Sequence, residues 1–90
     1  MKQVRIIVSG RVQGVGFRWS TKREADRLEL TGYVRNRADG RVEIVVAGSA
    51  GVVGDFITWA KRGPSFSNVS HIAVTELPLQ ASYTGFSIQR

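Results

Sequence analysis

The sequence contains no cysteine and a single histidine, His71. The first absence excludes disulfides and thiolate metal sites. The second, with acids few and scattered, leaves no set of nitrogen and sulfur ligands of the kind a zinc site needs, so neither a metal nor a cofactor is expected. His71 itself reads as an ordinary strand residue, because nothing near it in the chain would partner it in acid–base work. Long apolar runs are also missing. None approaches the roughly 18 residues that a membrane-spanning helix requires. The stretch Ile6-Ile7-Val8 ends at Ser9-Gly10, too soon for the apolar core of a signal peptide. The cytoplasm is the expected location, with no membrane partner.

Negative charge is scarce as well. Thirteen Lys+Arg stand against 7 Asp+Glu, a formal net charge of +6. A basic surface suits an anionic partner, whether phosphate compound, nucleic acid or acidic membrane, without choosing among them. Most of these arginines, and the pairs Lys22-Arg23 and Lys61-Arg62, read as solvated surface. Ninety residues suffice for one domain, residues 1–90, around one two-layer core.

Val4 to Val8 is short, β-branched and followed by Ser9-Gly10, which predicts a strand. Gly10 to Gly16 holds three glycines and reads as a loop. Phe17 to Leu30 reads as a helix, with Phe17, Thr21, Ala25 and Leu28 at helical spacing. Tyr33 to Asn36 starts a second strand, and Asp39-Gly40 is a hairpin signal. Arg41 to Ala47 is a third strand, apolar on both faces and therefore expected at the centre of the sheet. Ala50 to Arg62 is a second helix with Val53, Phe56, Ile57 and Ala60 as its buried stripe, stopped by Gly63-Pro64. Val69 to Leu77 is a fourth strand, Pro78 to Ser82 a turn, and Tyr83 to Gln89 a terminal strand. Trp19 and Trp59 read as core or rim packing. The order βαββαβ plus a last strand points to an α+β, ferredoxin-like sandwich: an antiparallel sheet with two helices on one face and an extra C-terminal strand.

The stretch from Gly10 to Arg18, Gly-Arg-Val-Gln-Gly-Val-Gly-Phe-Arg, lies between a strand and a helix. Its glycines let successive backbone N–H groups turn inward. Such a concavity binds an anion, helped by the positive end of the following helix. Arg18, in the first helical turn, can reach back and make two parallel hydrogen bonds to phosphate oxygens. The segment lacks the Gly-Lys-Ser/Thr ending of triphosphate-binding loops and the spacing of dinucleotide-binding ones. A second segment runs Gly32-Tyr33-Val34-Arg35-Asn36, then Asp39-Gly40-Arg41-Val42 and Gly48. In a ferredoxin-like sandwich the end of the second strand comes near the first loop, so Asn36 is expected close to Arg18. As an isolated residue, Asn36 would read simply as a turn former.

Val8 to Arg18 and Gly32 to Gly48 resemble, in that order, the two signatures of the acylphosphatase family, and the likeness extends over nearly the whole chain. Ser65-Phe66-Ser67-Asn68 departs from it, being bulkier than the small-residue link such a chain has after Gly63-Pro64. The resemblance implies hydrolysis of the carboxyl–phosphate bond of acyl phosphates by direct in-line attack of water. It implies that the backbone of Arg11, Val12, Gln13, Gly14, Val15, Gly16 and Phe17 cradles the phosphate, that Arg18 binds it, and that Asn36 orients the water. The expected partners are a small acyl phosphate and, as product inhibitor, inorganic phosphate; a monomer is the default expectation. A carboxylate leaving group needs little protonation, so the lack of an Asp/Glu/His cluster is no objection; what remains is positioning and charge stabilisation.

The alternative is an anion- or RNA-binding module of the same fold without catalysis. RNA-recognition domains share the element order, but they stack bases on aromatics of the third strand. The third strand here, Arg-Val-Glu-Ile-Val-Val-Ala, has none, so no nucleic-acid partner is expected. A further alternative, a regulatory or carbamoyl-phosphate-handling module of this type, belongs with longer chains.

Overall fold

The computed structural model describes residues 1–79 and 83–89. Seven elements follow one another: β1 (Lys2–Arg11), α1 (Phe17–Arg27), β2 (Thr31–Asn36), β3 (Val42–Gly48), α2 (Ala50–Arg62), β4 (Asn68–Leu77) and β5 (Phe86–Gln89). The strands form one sheet in the order β4-β1-β3-β2-β5. The first four pair antiparallel, while β5 runs parallel to β2. This is the ferredoxin-like sandwich, with a mixed rather than purely antiparallel sheet. The direction of β5 follows from topology. β4 and β5 lie on opposite edges, and β4 finishes at the end of the sheet where β2 begins. A chain returning from that end must run alongside β2.

The core lies between the sheet and the two helices. Alternate residues of the strands, Val4, Ile6 and Val8, Val34, and Val42, Ile44 and Val46, are fully buried there with Phe17 and Ala25 of α1 and Val53 and Phe56 of α2. Burying each large side chain contributes on the order of 2 kcal/mol. β3 has the expected central place, buried on both faces from Val42 to Ala47. Along α2, Val53, Phe56 and Ala60 are buried and Ile57 partly so, and Gly63 ends the helix at positive φ, its N–H bonded to the Trp59 carbonyl.

Several boundaries differ from the sequence expectation. α1 ends at Arg27, not Leu30. Glu29 adopts φ 58°, its N–H bonds to Asp26 O (3.0 Å), and the Leu30 N–H bonds to Ala25 O (2.9 Å). That pair of bonds is a Schellman cap, usually built around glycine. With the helix closed early, β2 starts at Thr31. β1 is longer than Val4–Val8 because β3 and β4 pair with it on both sides. β5 begins at Phe86, where its register with Gly32 begins. Of the turn expected over Pro78 to Ser82, the positions from Gln80 to Ser82 lie outside the described residues. The bulky segment after Pro64 closes as a turn, with the Ser67 N–H and hydroxyl both donating to Pro64 O (3.0 and 2.7 Å). Phe66 projects into solvent there, which is how its bulk is accommodated.

Candidate active site

α1 connects two strands of the same direction, so it runs opposite to both. Its N-terminus therefore stands at the end of the sheet where β1 and β2 finish. That brings three things together: the loop Val12–Gly16, the first turn of α1, and Asn36 at the last position of β2. They line one cleft of about 700 Å³ with Val12, Gly14, Gly16, Phe17, Arg18, Trp19, Asn36 and Ile88 on its walls.

Local sequence explains the loop. Gly14 and Gly16 have φ 75° and 77°, a region an L side chain enters only at a cost. Gly16 is also the N-cap of α1 and offers no side-chain acceptor. The first bond of the helix runs from Ser20 N–H to Gly16 O (3.0 Å). The N–H groups of Phe17, Arg18 and Trp19 thus have no acceptor within the helix, and the first turn carries no acid to compete for them. Val12 and Phe17 are buried at either end of the loop, and Val15 packs against the core. Gln13 acts as a latch: its Nε2 donates to Arg37 O and Arg41 O, each at 2.8 Å. These carbonyls belong to the β2–β3 hairpin, so the loop is tied to the strand that carries Asn36.

Of the residues expected at the phosphate loop, Val12, Gly14, Gly16 and Phe17 line the cleft beside Arg18 and Asn36. Arg11, Gln13 and Val15 do not. Arg11 belongs to β1 and pairs with Asn68, the Gln13 side chain is spent on the hairpin, and the Val15 side chain packs against the core; the expectation for all three concerned their backbone N–H groups, which these side-chain placements do not engage. Trp19, read from the sequence as packing, is 60% exposed and forms a wall of the cleft with Ile88. Its place beside Arg18 in the first turn was a usable signal. For Ile88 no signal existed without knowing that β5 joins β2. Trp59 does pack, with its ring centroid 5.6 Å from Phe56 and 6.0 Å from Phe17.

Asn36 follows Val34 by two residues and so shares its helix-covered face. Its Oδ1 is buried and has no hydrogen-bond partner among the described residues. A buried acceptor is rarely left unpaired, and the residue that carries this one lies on the cleft wall. Among the described residues, Arg18 is the only charged one on the walls. The arginines of the hairpin are committed elsewhere. Arg37 and Arg41 pair with Asp39 (3.2 and 3.6 Å). Arg35 binds Glu43 through Nε and Nη2, each at 3.2 Å, on the sheet face away from the helices. Glu43 there also accepts the Tyr33 hydroxyl at 2.7 Å. Burial raises the Glu43 carboxyl, but hydrogen bonds from Tyr33 and Arg35 and the nearby guanidinium charges outweigh it and hold the group below its ordinary value. Burial, with the bond to the Glu43 carboxylate, pushes the Tyr33 phenol up to about 12. His71 is an exposed residue of β4, paired with Ser9 of β1, and does not line the cleft. Among the described residues no three acidic or histidine side chains cluster as metal ligands would, and no helix is long and apolar enough to cross a membrane.

A cleft with one guanidinium, a row of uncommitted N–H groups and one unpaired amide oxygen can hold a phosphate and a water. Its described walls offer no carboxylate or imidazole for proton transfer. A family model for acylphosphatase matches residues 4–88. An acylphosphatase of Pseudomonas aeruginosa is 51% identical over 83 residues, which are 92% of this chain and 90% of that one. One from Bacillus subtilis is 49% identical over 88 residues, 98% of this chain and 97% of the relative. The crystal structure of acylphosphatase from Bacillus subtilis matches with a TM-score of 0.96 at 48% identity, covering 100% of both chains.

Proposed function

This chain belongs to the acylphosphatase family, hydrolases that act on an acid anhydride, and from that premise we propose how its own residues perform the reaction. The phosphoryl group of an acyl phosphate sits against the loop Val12–Gly16 and the N–H groups at the start of α1, with the Arg18 guanidinium across its equatorial oxygens. The Asn36 Oδ1 accepts a hydrogen bond from a water molecule and turns that water's lone pair toward phosphorus. Attack is in line: the bond from water oxygen to phosphorus forms as the bond to the acyl oxygen breaks. The carboxylate leaves as a stable anion, and the water proton passes to a phosphate oxygen or to solvent. The charge developing on the equatorial oxygens meets donors already in place, the largest single contribution such a site can make.

The observation that carries this reading is that, among the described residues, one cleft pairs a sole cation, Arg18, with Asn36, whose buried amide oxygen has no partner. The absence of general acids and bases from the walls suits an activated substrate and would not suit a phosphate monoester. The substrate is a small molecule, and inorganic phosphate, which fits the same donors, inhibits as product. The proposed unit is a single domain acting as a monomer. The proposed compartment is the cytoplasm; Ile6–Val8 stands paired on both sides in the sheet, which gives that apolar stretch a structural use. Hydrolysis in ¹⁸O-labelled water with excess EDTA tests the mechanism. Label should enter inorganic phosphate, at an unchanged rate with chelator. Label in the carboxylate, a trapped phosphoenzyme, or activity lost with EDTA and restored by a divalent cation would overturn it.

A further inference from the structure

An acyl phosphate has two ends, and the donors described so far account for one. Trp19 is 60% exposed and Ile88 39% exposed, yet both stand on the walls of the phosphate cleft. Their proximity follows from the packing of α1 on β5. Lys22 Nζ donates to Phe86 O at 3.0 Å, fixing the register of helix against strand. Trp19 is one helical turn earlier, roughly 5 Å along the axis. Ile88 is two strand residues later, about 7 Å on. Helix and strand run in opposite directions, so both steps lead toward the cleft, and both residues lie on its walls. The result is an apolar ledge next to Arg18, with an indole face and a branched aliphatic side chain open to solvent.

We propose that Trp19 and Ile88 form the acyl subsite and select acyl phosphates whose acyl group is apolar and flat, such as an aroyl group, over acetyl or carbamoyl phosphate. This rests on the reading that Arg18 and the loop hold the phosphoryl end. A ring laid on the indole removes apolar surface from water on both partners, worth about tenfold in affinity, whereas a methyl or amino group covers little of it. The ledge touches the acyl group before and during bond breaking alike, so it acts through KM more than kcat.

The experiment compares kcat/KM for benzoyl phosphate and acetyl phosphate in the wild type, Trp19→Ala and Trp19→Phe. Calorimetry alongside it measures binding of phenacylphosphonate and acetonylphosphonate, in which a methylene replaces the scissile oxygen. Trp19→Ala should lower the benzoyl-to-acetyl preference about tenfold, carried by KM, and Trp19→Phe should restore most of it. The phosphonate affinities should shift in the same ratio. An unchanged preference in Trp19→Ala, by rates or by phosphonate affinities, would overturn the subsite. If neither acyl phosphate is hydrolysed by the wild type, the catalytic reading falls instead, and the phosphonate ratio alone decides on the ledge. Because Trp19 is largely exposed, loss of the fold does not confound the comparison.

Discussion

Replacing Arg18 by alanine removes the only charge that the described residues place on the cleft walls. A hydrogen bond involving an ionised partner contributes about 1.5–3 kcal/mol, and a guanidinium can supply two in parallel. The cleft opens to solvent and Arg18 is half-buried, so water screens part of that and the lower end applies: about 3 kcal/mol for the pair. At 1.36 kcal/mol per decade that is a loss of about 10²-fold in kcat/KM. Inorganic phosphate, which meets the same fork, should inhibit correspondingly less. Arg18→Lys keeps the charge without the fork and should fall between, nearer to alanine than to wild type. Phosphate release from benzoyl phosphate and inhibition by phosphate are the assays, with thermal unfolding to confirm that each variant is folded. A folded Arg18→Ala protein with near-wild-type kcat/KM would refute the reasoning, since no other cation among the described residues lines the cleft.

The latch is tested by Gln13→Ala, which gives up two 2.8 Å bonds, one of them exposed. It should cost about 1 kcal/mol of stability and weaken phosphate inhibition about fivefold as the loop loses its tie; an unchanged inhibition constant would show that the loop holds its shape alone. Glu29→Gly should stabilise the fold by about 1 kcal/mol, because glycine enters the left-handed region of the α1 cap freely, and denaturant melts that show destabilisation would contradict the cap. The Glu43 carboxyl is held below its ordinary value, so its contribution is present above the ordinary carboxylate range and is lost as pH falls through the lowered value. The Tyr33 phenol, raised from 10.0 to about 12, contributes fully below pH 10 and loses that contribution as pH climbs toward 12. Glu43→Gln should flatten the acid limb of a stability–pH profile, and a limb as steep as wild type would place the effect elsewhere.

The order of elements was legible because alternating apolar residues and turn signals repeat along the chain. Two helix ends show where legibility stops. Gly63-Pro64 marks the end of α2 by its chemistry. The end of α1 has no such mark, since Glu29 takes a conformation that glycine or asparagine would have announced. Arg18 and Asn36 were found through motifs that name residue types. The Gln13 latch was hidden, because a polar side chain in a loop says nothing about which carbonyls it will reach 24 and 28 residues away. Ile88 was hidden for a related reason: alternation gives the face of a strand but not its neighbour, and the parallel pairing of β5 with β2 is a property of the whole sheet.

The division of labour between Arg18 and Asn36 is tested most directly by Asn36→Ala, assayed for turnover of an acyl phosphate, inhibition by inorganic phosphate and thermal unfolding together. Removing the oxygen that positions water should lower kcat by about 10²–10⁴-fold, the range for loss of a positioned catalytic group, while the phosphate inhibition constant stays within a few-fold because Arg18 and the loop amides remain. If turnover per folded molecule held and only stability fell, by roughly 1 kcal/mol, Asn36 would be a structural residue at the strand end. If phosphate inhibition weakened as much as turnover, it would be a phosphate ligand, and the water would have to be held by another group.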